Sequence, residues 1–202
     1  MNESVRAETA ECTLTVTITN LGTEAIRISY QVVNNSALPL YLCNQFWENT
    51  QFNPVTRQEL FEVLPNLAHI QATANQVAVR LALVDLPISD GAKIFFLPCL
   101  TRLAAAQQHV AHLDLVLPLI PYGQLAQPVT MPPIELALHV ELGYFIGDTL
   151  TEKYMDEVTT TQGLAYTLAP FEAHKQLLIT TKSFEKPVPV VEKSTATRVP
   201  WN

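Results

Sequence analysis

The residues best suited to chemistry in this chain are His109, His112 and Asp114, in the run His-Val-Ala-His-Leu-Asp, and a second pair, His139 and Glu141, further along. Two imidazoles and a carboxylate close in sequence can share one cation, with Zn²⁺ the natural occupant of such a donor set. A His pair three residues apart binds best from one helical face, and here any helix would have to end between them. Strand geometry offers another route. If the strand carrying His112 and Asp114 lies beside the one carrying His139 and Glu141, all four outward side chains converge on one sheet face. The competing reading makes them ordinary solvated positions of half-exposed strands.

Other chemistries find little support. No Ser sits in a Gly-x-Ser-x-Gly elbow, and the 6 glycines are never adjacent, so neither a nucleophile elbow nor a phosphate-cradling loop is present. The 3 cysteines, Cys12, Cys43 and Cys99, are odd in number and widely spaced, as expected of buried reduced thiols. Asn34-Asn35-Ser36 matches a glycosylation acceptor and equally a tight turn. The chain carries a formal charge of -7 with its Lys and Arg dispersed, which argues against nucleic acid as a partner. The expectation is a protein that is not an enzyme and needs no cofactor.

A second group of candidates is aromatic and apolar. Tyr41, Phe46, Trp47 and Phe52 crowd one short stretch, and Val188-Pro-Val-Val191 near the C-terminus could lie along an exposed strand. Phe46, Trp47, Val190 and Trp201 are therefore candidates for a protein interface or a homodimer contact. The alternative for Phe46 and Trp47 is that they plug one end of a core.

These side chains must be positioned by strands. Cys12, Leu14, Val16 and Ile18 alternate with four threonines, and the pattern resumes over Ile26–Val33 beyond a turn at Asn20–Glu24. Similar alternation marks Gln76–Leu86, Ala111–Leu117 and Ile134–Leu142. Pro87–Gly91 reads as a turn before a partner strand over Lys93–Leu97, and Gly163–Leu168 and Gln176–Thr181 close the series. Residues 57–64 can be drawn as a short helix, with Thr56-Arg-Gln-Glu59 as a capping box, or as a strand, with strand favoured by its surroundings. Residues 101–110, rich in Ala and Gln, read as one short helix. Gly147–Thr161 reads as a polar surface loop.

The run Leu14–Leu42, which contains Thr-Val-Thr-Ile-Thr-Asn-Leu-Gly and Tyr-Gln-Val-Val-Asn-Asn-Ser-Ala-Leu-Pro-Leu-Tyr-Leu, resembles the early strands of bacterial immunoglobulin-like and fibronectin-III-like modules. The resemblance implies a two-sheet antiparallel β-sandwich and carries no site residues. With about eight or nine strands, the expected organisation is an all-β sandwich over residues 1–183 and an extended C-terminal tail over 184–202. The first residues lack a basic segment followed by an apolar one, and no apolar run approaches the ~20 residues of a membrane-spanning helix. A cytoplasmic, soluble protein without membrane contact is the expectation.

Overall fold

Period-two alternation is the dominant local signal, and strand is the dominant local structure. A computed structural model describes residues 2–54, 57–87, 93–121 and 132–191. Its strands are β1 (Asn2–Glu8), β2 (Cys12–Asn20), β3 (Ala25–Asn34), β4 (Leu40–Gln45), β5 (Trp47–Asn53) and β6 (Gln58–Val63). They continue with β7 (His69–Ala72), β8 (Gln76–Leu81), β9 (Val84–Pro87), β10 (Lys93–Phe96), β11 (Cys99–Leu103) and β12 (Gln108–Val116). The last are β13 (Ile134–Ile146), β14 (Met155–Thr160), β15 (Gly163–Leu168), β16 (Leu177–Thr180) and β17 (Val188–Val190). One helical turn, α1 (Thr149–Glu152), and a 3-10 segment, Pro170–Lys175, complete the described elements.

Two large sheets face each other. The smaller has the order β1-β2-β3-β12 and is antiparallel throughout. The larger has eleven strands and is mixed, because β8 runs parallel to β13 and β6 parallel to β14. The chain is thus all-β, as expected, but richer in strands than the alternation suggested, and its larger sheet departs from the antiparallel expectation. Short strands such as β7 and β17 are too brief for their periodicity to register, whereas β16 lies within the strand expected over Gln176–Thr181. Strand β13 is the hub, pairing along its length with β17, β8, β16 and β4.

Inward residues of both sheets form one apolar core, with Leu14, Ile26, Ile28 and Leu113 from the small sheet meeting Leu42, Leu138 and Val140 from the large one. Each such side chain contributes about 1.5–3 kcal/mol on burial. The large sheet also buries part of its other face: Tyr41, Cys43, Leu83, Leu100 and Phe145 pack with Leu168 and Ala173. This explains why Leu40–Cys43 of β4 is an unbroken apolar run, since that part is covered on both sides.

Several expectations need correction. Residues 101–110 are not helical. Cys99–Leu103 ends β11, the chain turns at Ala104–Gln107 with the Gln107 N–H donating to the Ala104 carbonyl, and β12 follows in the other sheet. Ala106 takes a positive φ of 58° there. Alanine's helix propensity is overridden because crossing between two sheets needs a turn at this point. Gly147–Thr161, expected as loop, contains α1 and β14. The alternation of Gln76–Leu86 is interrupted at Ala82-Leu83, where the Gln176 side-chain amide takes a strand's place: its Oε1 accepts from the Leu83 N–H at 2.7 Å and its Nε2 donates to the Leu83 carbonyl at 3.3 Å. Gln58–Val63 is a strand, and β9 pairs β10 as the intervening turn signals implied. Of the expected extended C-terminal tail over 184–202, the described part to Val191 contains β17 and buries Phe184, Val188, Val190 and Val191.

Candidate functional site

The histidine and carboxylate candidates lie in different sheets. On β12 the side chains at odd positions, including His109, point toward the core, whereas Gln108, Val110, His112, Asp114 and Val116 form the outer row. His109 and His112 are an odd number of residues apart and therefore face opposite ways. His109 Nε2 lies 3.0 Å from Asn44 Nδ2, which also donates to the Tyr30 hydroxyl at 3.2 Å, and burial pushes the imidazole's pKa down. Asp114 is engaged by Arg27 across the β12–β3 ladder, Nε to Oδ1 at 2.7 Å and Nη2 to Oδ2 at 2.8 Å. That bidentate hydrogen bond holds the Asp114 pKa below its usual value.

His139 and Glu141 sit on β13 in the large sheet. Glu141 is occupied by Arg80 of β8, at 2.6 Å, with His139 Nε2 3.4 Å from its other oxygen, and Arg80 also donates to Gln71 at 2.7 Å. The convergence that a shared cation requires does not occur, because β12 and β13 lie in different sheets and, among the described strands, β12 pairs only with β3. Among the described residues no group of three or more His, Cys, Asp or Glu side chains is placed to hold a metal ion.

The aromatic candidates are largely structural. Phe46 is 1% exposed and belongs to the main core. Trp47 is half-buried, donating its indole N–H to the Leu97 carbonyl at 2.9 Å and meeting the Phe61 ring edge-on. Val190, on β17, is fully buried beside Ile134 of β13, so its own core covers it. Trp201 lies outside the described residues. All three cysteines are buried, and desolvation pushes the Cys43 and Cys99 thiols up to about 12, which removes them as nucleophiles at neutral pH. Asn34 is likewise buried within its turn rather than presented on the surface. At one end of the two-sheet core a cleft of about 300 Å³ opens between Ile18, Ile26, Leu117, Phe184 and Val188. Glu3 closes part of its rim by accepting from the Glu185 N–H at 2.7 Å.

Among the described residues the outer edge of β12, which ends the four-stranded sheet opposite β1, has no neighbouring strand. Antiparallel strands point alternate backbone groups toward and away from a neighbour. The Gln107 carbonyl accepts from Asn34 and the Leu117 N–H donates to Glu24, so odd residues face β3. The Asp114 N–H faces away, and the Asn66 side chain caps it at 2.9 Å. By the same alternation the N–H and C=O groups of Gln108, Val110 and His112 face away, and no described group bonds to them. Asn66 thus seals the edge at Asp114 and leaves Gln108–His112 open. Val110, 65% exposed, stands in the middle of this opening.

The surface beside the edge is nearly uncharged. Across the ladders Val110 neighbours Gln31 and then Thr15, and His112 neighbours Ser29 and then Thr17, while Asp114 is balanced by Arg27. The open edge was hidden in the sequence by the alanine cluster ahead of it. Extending the alternation of residues 111–117 back to Gln108 is the signal that finds it, since it places Val110 in the polar row with His112 and Asp114. No protein-family model, curated protein or solved structure matches the chain.

Proposed function

We propose that this chain is a non-enzymatic, immunoglobulin-like binding module that takes up an extended segment of a protein partner along the open edge of β12. The observation that carries this reading is the set of backbone groups at Gln108, Val110 and His112 that have no partner among the described residues, beside a neutral, hydroxyl-rich sheet face. Strand addition uses those groups for affinity and alternate side chains for selectivity. The edge also lacks the usual defences. Within Gln108–Val116 there is no Lys, no Pro and no break in register, whereas natural sheets commonly blunt a long edge with one of these. The buried thiols and the divided histidines fit a role in binding rather than catalysis. No described helix is long and apolar enough to cross a membrane.

The test is a titration of the ¹⁵N-labelled protein with a synthetic peptide copying Gln108–Val116. Shift changes concentrated at the amides of Gln108, Val110 and His112 are expected. Unchanged amide shifts at millimolar peptide would refute the reading.

A further inference from the structure

We infer that the occupant of the β12 edge is a second copy of this chain, paired antiparallel about a two-fold axis at Val110 to join two four-stranded sheets into one. This rests on the edge-binding reading above and adds the identity of the partner. The pairing uses what the edge leaves free. With the axis at Val110, that residue faces its own copy, and Gln108 faces His112 of the other chain. All three present outward N–H and C=O groups, so each facing pair exchanges both of its hydrogen bonds. An isologous contact of this kind needs one self-complementary patch, and a strand edge with its open stretch centred on a single residue supplies it.

Side chains agree with the backbone. The two Val110 side chains come together in the centre of the joined outer face, exchanging their 65% exposure for apolar contact. Gln108, whose Oε1 accepts from Gln31 at 2.6 Å, retains its own amide N–H groups for the facing His112 ring. Charge does not oppose contact at this face. Two copies carrying -7 each repel one another in general, and on β12, β3 and β2 the rows at Gln108, Val110 and His112 hold only Gln, His, Val, Ser and Thr, with the Arg27–Asp114 pair in the next row. Asn66 sets the limit of the ladder at Asp114, which keeps the contact short. A ladder of this length belongs with the small interfaces and forms a weak, reversible dimer.

Sedimentation velocity of the full chain from about 5 to 500 μM tests the inference, a range wide enough to reveal micromolar to near-millimolar association. A concentration-dependent monomer–dimer equilibrium is expected. Val110→Pro deletes the central outward N–H, at an edge position where proline leaves the β12–β3 ladder intact. Val110→Lys sets two charges against each other on the axis. Either substitution should weaken dimerisation at least tenfold, whereas Val116→Lys, beyond the Asn66 cap on the same outer row, should leave it unchanged. Circular dichroism checks that the variants fold, and Val110→Lys decides the matter if the proline variant does not. A protein that stays monomeric throughout, or a dimer indifferent to both Val110 substitutions, overturns the inference. A monomer that still takes up the β12-copying peptide rejects the second copy while leaving edge binding standing; one that does neither rejects both.

Discussion

Asn34→Ala should destabilise the protein by about 3 kcal/mol, and the figure follows from what this one amide holds together. Asn34 ends β3 and is 1% exposed. Its Nδ2 donates to the carbonyls of Leu38 at 2.8 Å and of Leu103 and Ala104 at 3.1 Å each. Its Oδ1 accepts from the Ser36 N–H at 2.9 Å and the Ser36 hydroxyl at 2.8 Å. One side chain thereby ties the end of the small sheet to the close of β11 in the large sheet and to the turn that launches β12. Some acceptors keep a second donor, since the Ala104 carbonyl also receives Gln107 and the Leu38 carbonyl also receives Ser36. The Ser36 N–H keeps none. Two to three net hydrogen bonds at about 1 kcal/mol each, plus the cost of one orphaned donor, give roughly 3 kcal/mol. In a domain of this size that lowers Tm by about 6–12 °C. Urea unfolding followed by circular dichroism measures it. Asn34→Asp keeps the acceptors, loses the donors and sets a carboxylate against three carbonyl oxygens, so it should cost at least as much as alanine. A loss below about 1 kcal/mol for alanine, or tolerance of aspartate, would refute the assignment of Asn34 as the tie between the sheets.

Two further outcomes follow from electrostatics and burial. Asp114 has its folded pKa lowered chiefly by the Arg27 hydrogen bond, so its stabilising contribution is present above the ordinary carboxylate pKa and disappears as pH falls through the folded value. Carboxyl NMR titration should find Asp114 below the ordinary range in the parent and returned toward it in Arg27→Ala; an unchanged titration would remove Arg27 as the cause. Cys43 and Cys99, pushed up to about 12 by burial, should resist a thiol reagent such as DTNB at pH 8 in the native protein and react at once in guanidinium. Prompt native labelling of either would contradict their burial.

Where the structure agrees with the sequence, the reason is local. Leu14, Val16 and Ile18 face inward and Thr15, Thr17 and Thr19 outward because a strand offers side chains only two directions, and Gly22, with a φ of 95°, makes the turn between β2 and β3 as its neighbours implied. Where it disagrees, a distant element has intervened. Ala104–Gln107 would suit a helix in isolation, but β11 must end in one sheet and β12 begin in the other. Phe46 and Val190 appeared available for an interface because nothing near them in sequence shows what covers them. His112 and His139 have equivalent local patterns, yet one sits on the small sheet and the other beside Arg80 on the large one.

By itself, then, the sequence of this protein determined the strand class, the inward and outward faces of its longer strands, and the inert character of its cysteines. These follow from side-chain period, burial propensity and turn chemistry, all of which act over a few residues. Only the tertiary structure decided which strands are neighbours, and so divided the histidines, buried Val190 and left β12 on an edge. Backbone hydrogen-bonding groups are the same in every residue, so whether those of Gln108, Val110 and His112 are used depends on which strand lies alongside, and no local pattern of side chains records that.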